Sequence, residues 1–199
     1  MKTKKRHNRI ANLLFILPIL IIVGFVVYGF LQVTKPGTVT VEALAQNKYL
    51  STGQSTPIDV LAKVGSVSGT TPLSVSLAAG QYEVSYATIP WYQTPASKEV
   101  AVGNGQTAYS TGVYSVIVKV VTLSSAGFNA TKVLAEHGVT PVVWINTSTS
   151  NLIMGVSGIG TFPLSPGQNY TNIFQSVGTY LFTSTTGSPT SSSGSVEVQ

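Results

Sequence analysis

Hydrophobic and polar positions follow two different rhythms along this chain of 199 residues. From Ile10 to Val33 the run IANLLFILPILIIVGFVVYGFLQV carries no charge over 24 positions. At 1.5 Å per residue a helix of that length reaches roughly 36 Å, against about 30 Å of bilayer hydrocarbon, so the pattern predicts a transmembrane helix over residues 10–33. Pro18 predicts a bend in its first half, and Asn12 lies near enough to one end to be hydrated. Beyond Lys35 the rhythm changes to short alternating stretches bounded by Gly, Pro and Asn, the pattern of half-buried strands. Val39 and Val41 alternate with polar residues, as do Leu73, Val75 and Leu77, then Tyr82, Val84 and Tyr86. Ala79-Gly80 predicts a hairpin between the last two stretches. Gly103-Asn104-Gly105 predicts a second hairpin, between the strand holding Val100 and Val102 and the run 113–120. Residues 139–146 and 178–182 read as further strands, with a turn at Ser165-Pro166-Gly167-Gln168 between them. Residues 129–137 (NATKVLAEH) are too short and too β-branched for a helical core face and read as a strand or one helical turn. The predicted architecture is an N-terminal transmembrane helix followed by an all-β region of two small antiparallel β-sandwich-like modules. Its parts are a basic tail at 1–9, the span at 10–33, a first module at 36–123 and a second at 126–199.

Charge changes the picture only when it is divided by position. The formal net charge is +5, with 11 Lys and Arg against 6 Asp and Glu. Lys2, Lys4, Lys5, Arg6 and Arg9 supply five of the bases, and no acid precedes Glu42. The six remaining lysines balance the six acids, so the region after residue 34 is neutral and offers no basic groove to nucleic acid. Bases directly before the apolar run predict a cytoplasmic N-terminus and an extracellular C-terminal region, the topology of a signal anchor. Two other readings of the segment compete. A cleaved secretory signal has a shorter apolar core and a small-x-small site, of which Val27-Tyr28-Gly29 is a poor version. A pilin-type leader carries a small residue at its cut, where here Arg9 runs straight into Ile10. Gly24 and Gly29 are five apart rather than four, a weak signal for helix packing.

Charged residues make up only 9% of the chain and Cys is absent. An exported protein without Cys draws its stability from sheet packing, in the manner of an archaeal or bacterial surface protein, and the Ser- and Thr-rich composition favours the archaeal type. Three sequons, at Asn129, Asn146 and Asn169, predict a glycoprotein with glycans at strand ends or loops. Trp91 and Tyr92, between Pro90 and Pro95, form either a partner contact at a loop tip or a plug at the end of a sheet. Trp144, between Val143 and Ile145, reads as core.

Residues 70–118 resemble the PEGA family of surface modules, through Thr71-Pro72-Leu73, Gly80-Gln81-Tyr82, Trp91-Tyr92 and Gly105-Gln106-Thr107 in that order. The last 70 or so residues resemble the cupredoxins. That likeness is carried by Gly138, Val143-Trp144-Ile145-Asn146, Leu164-Ser165-Pro166-Gly167-Gln168, Phe174, Gly178-Thr179-Tyr180 and the closing Gly194-Ser195-Val196-Glu197-Val198. The resemblance implies a copper site of two imidazoles, a thiolate and an axial thioether. By position these fall on Leu152, Ser184, Gly187 and Ser192, none of which is such a ligand, so no metal and no cofactor is expected.

Other chemistry is sparse. His137 beside Glu136 reads as a solvated pair. Asp59, His137 and the many serines meet a triad inventory, yet no Gly-x-Ser-x-Gly elbow frames a serine. Met154 to Gly160 (MGVSGIG) reads as a β-bulge or loop rather than a phosphate cradle, since no helix follows it. The sequence therefore predicts a single-pass, membrane-anchored surface protein that acts through protein–protein or cell-envelope contact and is not an enzyme. Its expected partners are membrane lipid and a protein of the envelope or of a membrane complex. Two alternatives stay open: an accessory subunit of a membrane enzyme complex, and a pilin-like filament subunit.

Overall fold

The computed structural model describes residues 18, 20–28, 35–49, 55–185 and 192–199. Most of the span predicted over 10–33 lies outside these. Its described part, residue 18 and residues 20–28, is helical. Among the described residues no helix is long and apolar enough to cross a membrane.

The alternating stretches become strands β1 (Gly37–Gln46), β2 (Ser55–Pro57), β3 (Leu61–Val64), β4 (Val67–Thr70), β5 (Leu73–Leu77), β6 (Gly80–Tyr86), β7 (Tyr92–Gln93), β8 (Lys98–Val102) and β9 (Thr107–Val116). They continue as β10 (Lys119–Ser124), β11 (Gly127–Phe128), β12 (Lys132–Ala135), β13 (Val142–Asn146), β14 (Leu152–Val156), β15 (Gly160–Leu164), β16 (Asn169–Asn172), β17 (Gly178–Thr185) and β18 (Ser192–Val198). Residues 129–137 thus contain a strand, β12. MGVSGIG is a hairpin, with Met154–Val156 ending β14, Ser157-Gly158-Ile159 turning, and Gly160 opening β15.

The chain falls into two compact units that interleave in sequence. The first takes the chain up to Glu42 with Leu61–Ser85 and Ser97–Thr111; the second takes Ala43–Val60, Tyr86–Ala96 and Gly112–Gln199. In the first unit one sheet has the order β4-β3-β6-β8, and the first half of β1 pairs antiparallel with β5, from Gly37↔Leu77 to Val41↔Leu73. Val39, Val41, Ala62, Val64, Val75, Val84, Val100 and Val102 are buried, every second residue of their strands. β-Branched side chains fit this role because their restricted χ1 suits the pleated surface.

Neither predicted hairpin forms. β5 pairs with β1 while β6 pairs with β8, so Ala78-Ala79 carries the chain from one sheet to another. Gly103-Asn104-Gly105 likewise leads from β8, beside β6, to β9, beside β1. Gly105 takes φ +65° there, as the motif suggested, but in a link between sheets. Alternation marks the inward face of each strand, and that face looks the same whether the next strand lies alongside or in a different sheet.

The second unit contains two sheets, β11-β10-β13-β16 and β12-β18-β17-β14-β15. They are mixed rather than antiparallel throughout: β10 with β13 and β12 with β18 run parallel. Parallel neighbours require a crossover, which β11 and β12 supply between β10 and β13. The core comprises Val121, Val133, Val142, Trp144, Met154, Phe174, Phe182 and Val196, with Leu164 and other aliphatic residues around them. Trp144 lies 5.9 Å from Phe182 and 6.3 Å from Phe174 between ring centroids, both edge-on, and stacks on Tyr170 at 6.0 Å. Gly194 opposes Phe182 across β17 and β18, where a Cβ would come within 2.4 Å of the ring. Its missing side chain lets Phe182 reach Phe128 at 4.7 Å. The same unit holds a smaller cluster of Ala43, Val60 and Tyr114, packed by Ile58, Tyr86, Ile89 and Tyr92.

Candidate functional site

The positions implied for copper do converge. Leu152 opens β14, Ser184 stands near the end of β17, and Ser192 opens β18, with Met154 opposite Ser184 and Ser184 opposite Ser192. Gly187 lies outside the described residues. Leu152 and Ser184 are buried, and Met154 places a buried thioether on the strand beside Ser184. An alkyl group and two hydroxyls do not match the imidazole and thiolate donors of a copper centre, and the chain has no Cys. The residues present do not fit the metal. The Ser184 Oγ and Trp144 Nε1 are instead buried polar atoms without a hydrogen-bond partner. Among the described residues no three His, Cys, Asp or Glu side chains gather as a ligand set.

The sequons separate. Asn129 and Asn169 are exposed, at the foot of β12 and the start of β16. Asn146 is fully buried: its Nδ2 donates to Ser150 O and Leu164 O, both at 2.8 Å, and its Oδ1 accepts from Ser148 N and Oγ. Its amide ties the turn after β13 to the end of β15, so Asn146 is corrected from a surface acceptor to a buried organising residue. The motif is blind to burial; the signal that separates this sequon from the other two is its place two residues after Trp144 in one apolar strand, which puts it on the same inward face.

His137 and Glu136 are 3.7 Å apart at the surface, and His137 Nδ1 lies 2.9 Å from Gln199 O. Asp59 is exposed, and no contact between it and His137 is found among the described residues. The triad inventory is therefore not assembled by the fold.

Trp91 and Tyr92 part company although adjacent. Tyr92 pairs with Val116 through β7 and packs on the Ala43–Val60–Tyr114 cluster, and burial raises its hydroxyl above the ordinary tyrosine pKa. Tyr114 donates to Ala87 O, and its pKa is raised by burial and then by the neighbouring Tyr86 hydroxyl. Trp91 sits in the turn after Pro90 with φ +66°, a conformation that L side chains resist. Ile117 N donates to its carbonyl at 2.8 Å, and the Lys119 ammonium lies 5.8 Å from the partly buried indole. Lys119 was not singled out in the sequence. Only the fold, by running β7 alongside the end of β9, brings it to residue 91.

No family model and no curated protein matches the chain. Solved structures similar to it include cupredoxins. The purple cupredoxin from Nitrosopumilus maritimus aligns at 17% identity over 41% of this chain and 99% of its own, with a TM-score of 0.32. A single-site mutant of amicyanin holding Cu(I) aligns at 22% identity over 41% of this chain and 82% of its own, with a TM-score of 0.35. The shaft pilin SpaA from Lactobacillus rhamnosus GG aligns at 9% identity over 82% of this chain and 98% of the pilin, with a TM-score of 0.35.

Proposed function

We propose that this chain is a single-pass, membrane-anchored surface protein that works by contact and carries out no catalysis. The observation that carries the reading is the segment after the basic tail. Its described residues, 18 and 20–28, are helical and all exposed, with Phe25 74% accessible. A helix apolar on every side and uncovered by its own protein is the kind that lipid covers. The five preceding bases favour a cytoplasmic N-terminus. The outer region then presents a PEGA-like module and a metal-free cupredoxin-like one. A helix anchor suits such modules, since confinement at the bilayer makes a weak contact effective through local concentration. The contact residue in this reading is Trp91, with Tyr92 holding it to the β framework. Protease added to intact cells tests the arrangement. A small membrane-embedded N-terminal fragment is expected to survive, and full protection of a surface-accessible population overturns it.

A further inference from the structure

We propose that Trp91 and Lys119 form a shallow binding site for an acidic sugar residue of a glycan. The pyranose CH face would lie on the indole and its carboxylate on the Lys119 ammonium. This rests on reading Trp91 as a contact residue rather than a plug.

Three observations converge. A tryptophan occupies a turn position at φ +66°, where glycine or asparagine fits with less strain. Strain of this kind persists when the surroundings enforce it and concentrates at binding sites. Here the backbone is enforced by the Ile117 N to Trp91 O hydrogen bond and by Tyr92 in β7. Neither needs an indole at 91. Next, the indole is not among the side chains that pack the nearby buried cluster, which are Ile58, Tyr86, Ile89 and Tyr92, and it keeps part of its surface in solvent. Ile117, whose N–H holds the turn, is itself an exposed apolar residue at 38%. Lastly, Lys119 stands over that ring, and no carboxylate pairs with it among the described residues.

A flat π surface beside one ammonium that no carboxylate neutralises among the described residues recognises a ligand that offers an apolar face and a single negative charge. A uronic acid has both. A nucleic acid also stacks on aromatics, but its affinity comes from many phosphate contacts, and one lysine in a region of zero net charge does not supply them.

The test titrates trigalacturonate into the full chain in mild detergent, following tryptophan emission and calorimetry. Trp91→Gly is the chosen variant because glycine accepts the turn geometry. It is expected to weaken binding by at least about tenfold while leaving the melting temperature unchanged or higher. Lys119→Gln, which keeps the length and polarity of this partly buried side chain and removes its charge, is expected to weaken it by about the same factor, and wild type should bind neutral maltotriose about tenfold less well. Equal binding by Trp91→Gly overturns the site. Absence of trigalacturonate binding by wild type, with Trp91→Gly fully stable, overturns the acidic-sugar assignment and leaves Trp91 a contact for something else. A melting temperature for Trp91→Gly as low as that of Trp144→Ala overturns both readings together.

Discussion

The two units fill their interiors in opposite ways. The first buries valines and one alanine, so that no single side chain dominates. The second sandwich is arranged around Trp144, against which Phe174, Phe182 and Tyr170 pack, with Phe128 on Phe182 and Phe162 stacked on Tyr170 at 3.7 Å. Small branched residues spread burial over many positions, each contributing about 1.5–3 kcal/mol. Aromatic rings concentrate it, and add edge-on and stacked geometry worth about 0.5–1.5 kcal/mol per pair. The first interior therefore degrades gradually under substitution, whereas the second has a keystone.

That contrast can be broken or sharpened by thermal and denaturant melts. The largest effect is expected from Trp144→Ala, a loss of about 3–5 kcal/mol, enough to unfold a marginal domain. A smaller loss would show that the aromatic cluster closes over the gap. Asn146→Ala should cost about 2–3 kcal/mol, because it strands the buried Leu164 carbonyl and unties the partly buried partners at Ser148 and Ser150; a change below about 1 kcal/mol would mean that water replaces the amide. Val84→Ala, in the valine interior, should cost about 1.5–2 kcal/mol from two lost methyl groups and a small cavity. If it matches Trp144→Ala, the contrast between interiors fails. Trp91→Ala should cost about 1 kcal/mol or less, and a loss as large as that of Trp144 would make the indole a plug.

The smallest effect near neutrality concerns pH. Tyr92, Tyr114 and Tyr170 all have hydroxyl pKa values raised above 10.0, chiefly by burial, and all belong to the second unit. Their stabilisation is complete below the unfolded value and is lost as pH rises past it, since the unfolded chain releases those protons first. Hydrogen exchange between pH 9 and 11, corrected for intrinsic rates, should show the second unit opening before the first; the reverse order would contradict the assignment.

Strand positions were readable because a period of two survives wherever one face is buried. Val39, Val41, Val75 and Val84 are inward in the structure as their spacing requires. Pairing was not readable. The links Ala78-Ala79 and Gly103-Asn104-Gly105 are as short as hairpin turns, but they join different sheets, and the parallel partners β10 and β13 lie far apart in sequence. Trp144 was legible as core from its apolar neighbours. The site at Trp91 was half legible: Pro90 and the aromatics mark a turn, but the positive φ and the approach of Lys119 arise only from tertiary structure. Asn146 shows the opposite failure, a surface motif written on a buried side chain.

One residue of the second sandwich bears on whether its larger sheet can be extended. β15 is an edge strand, and Pro163 stands within it, one residue before its end and opposite Ile153 of β14. With the ladder to β14 intact, the missing N–H falls on the free side. A second chain that tries to extend the sheet there meets a broken row of donors. The opposite edge, β12, carries Lys132 in an ion pair with Glu197 at 2.8 Å, a charge that an incoming strand would have to desolvate. Both ends of this sheet thus oppose its extension by an incoming strand, one by a missing donor and the other by a charge.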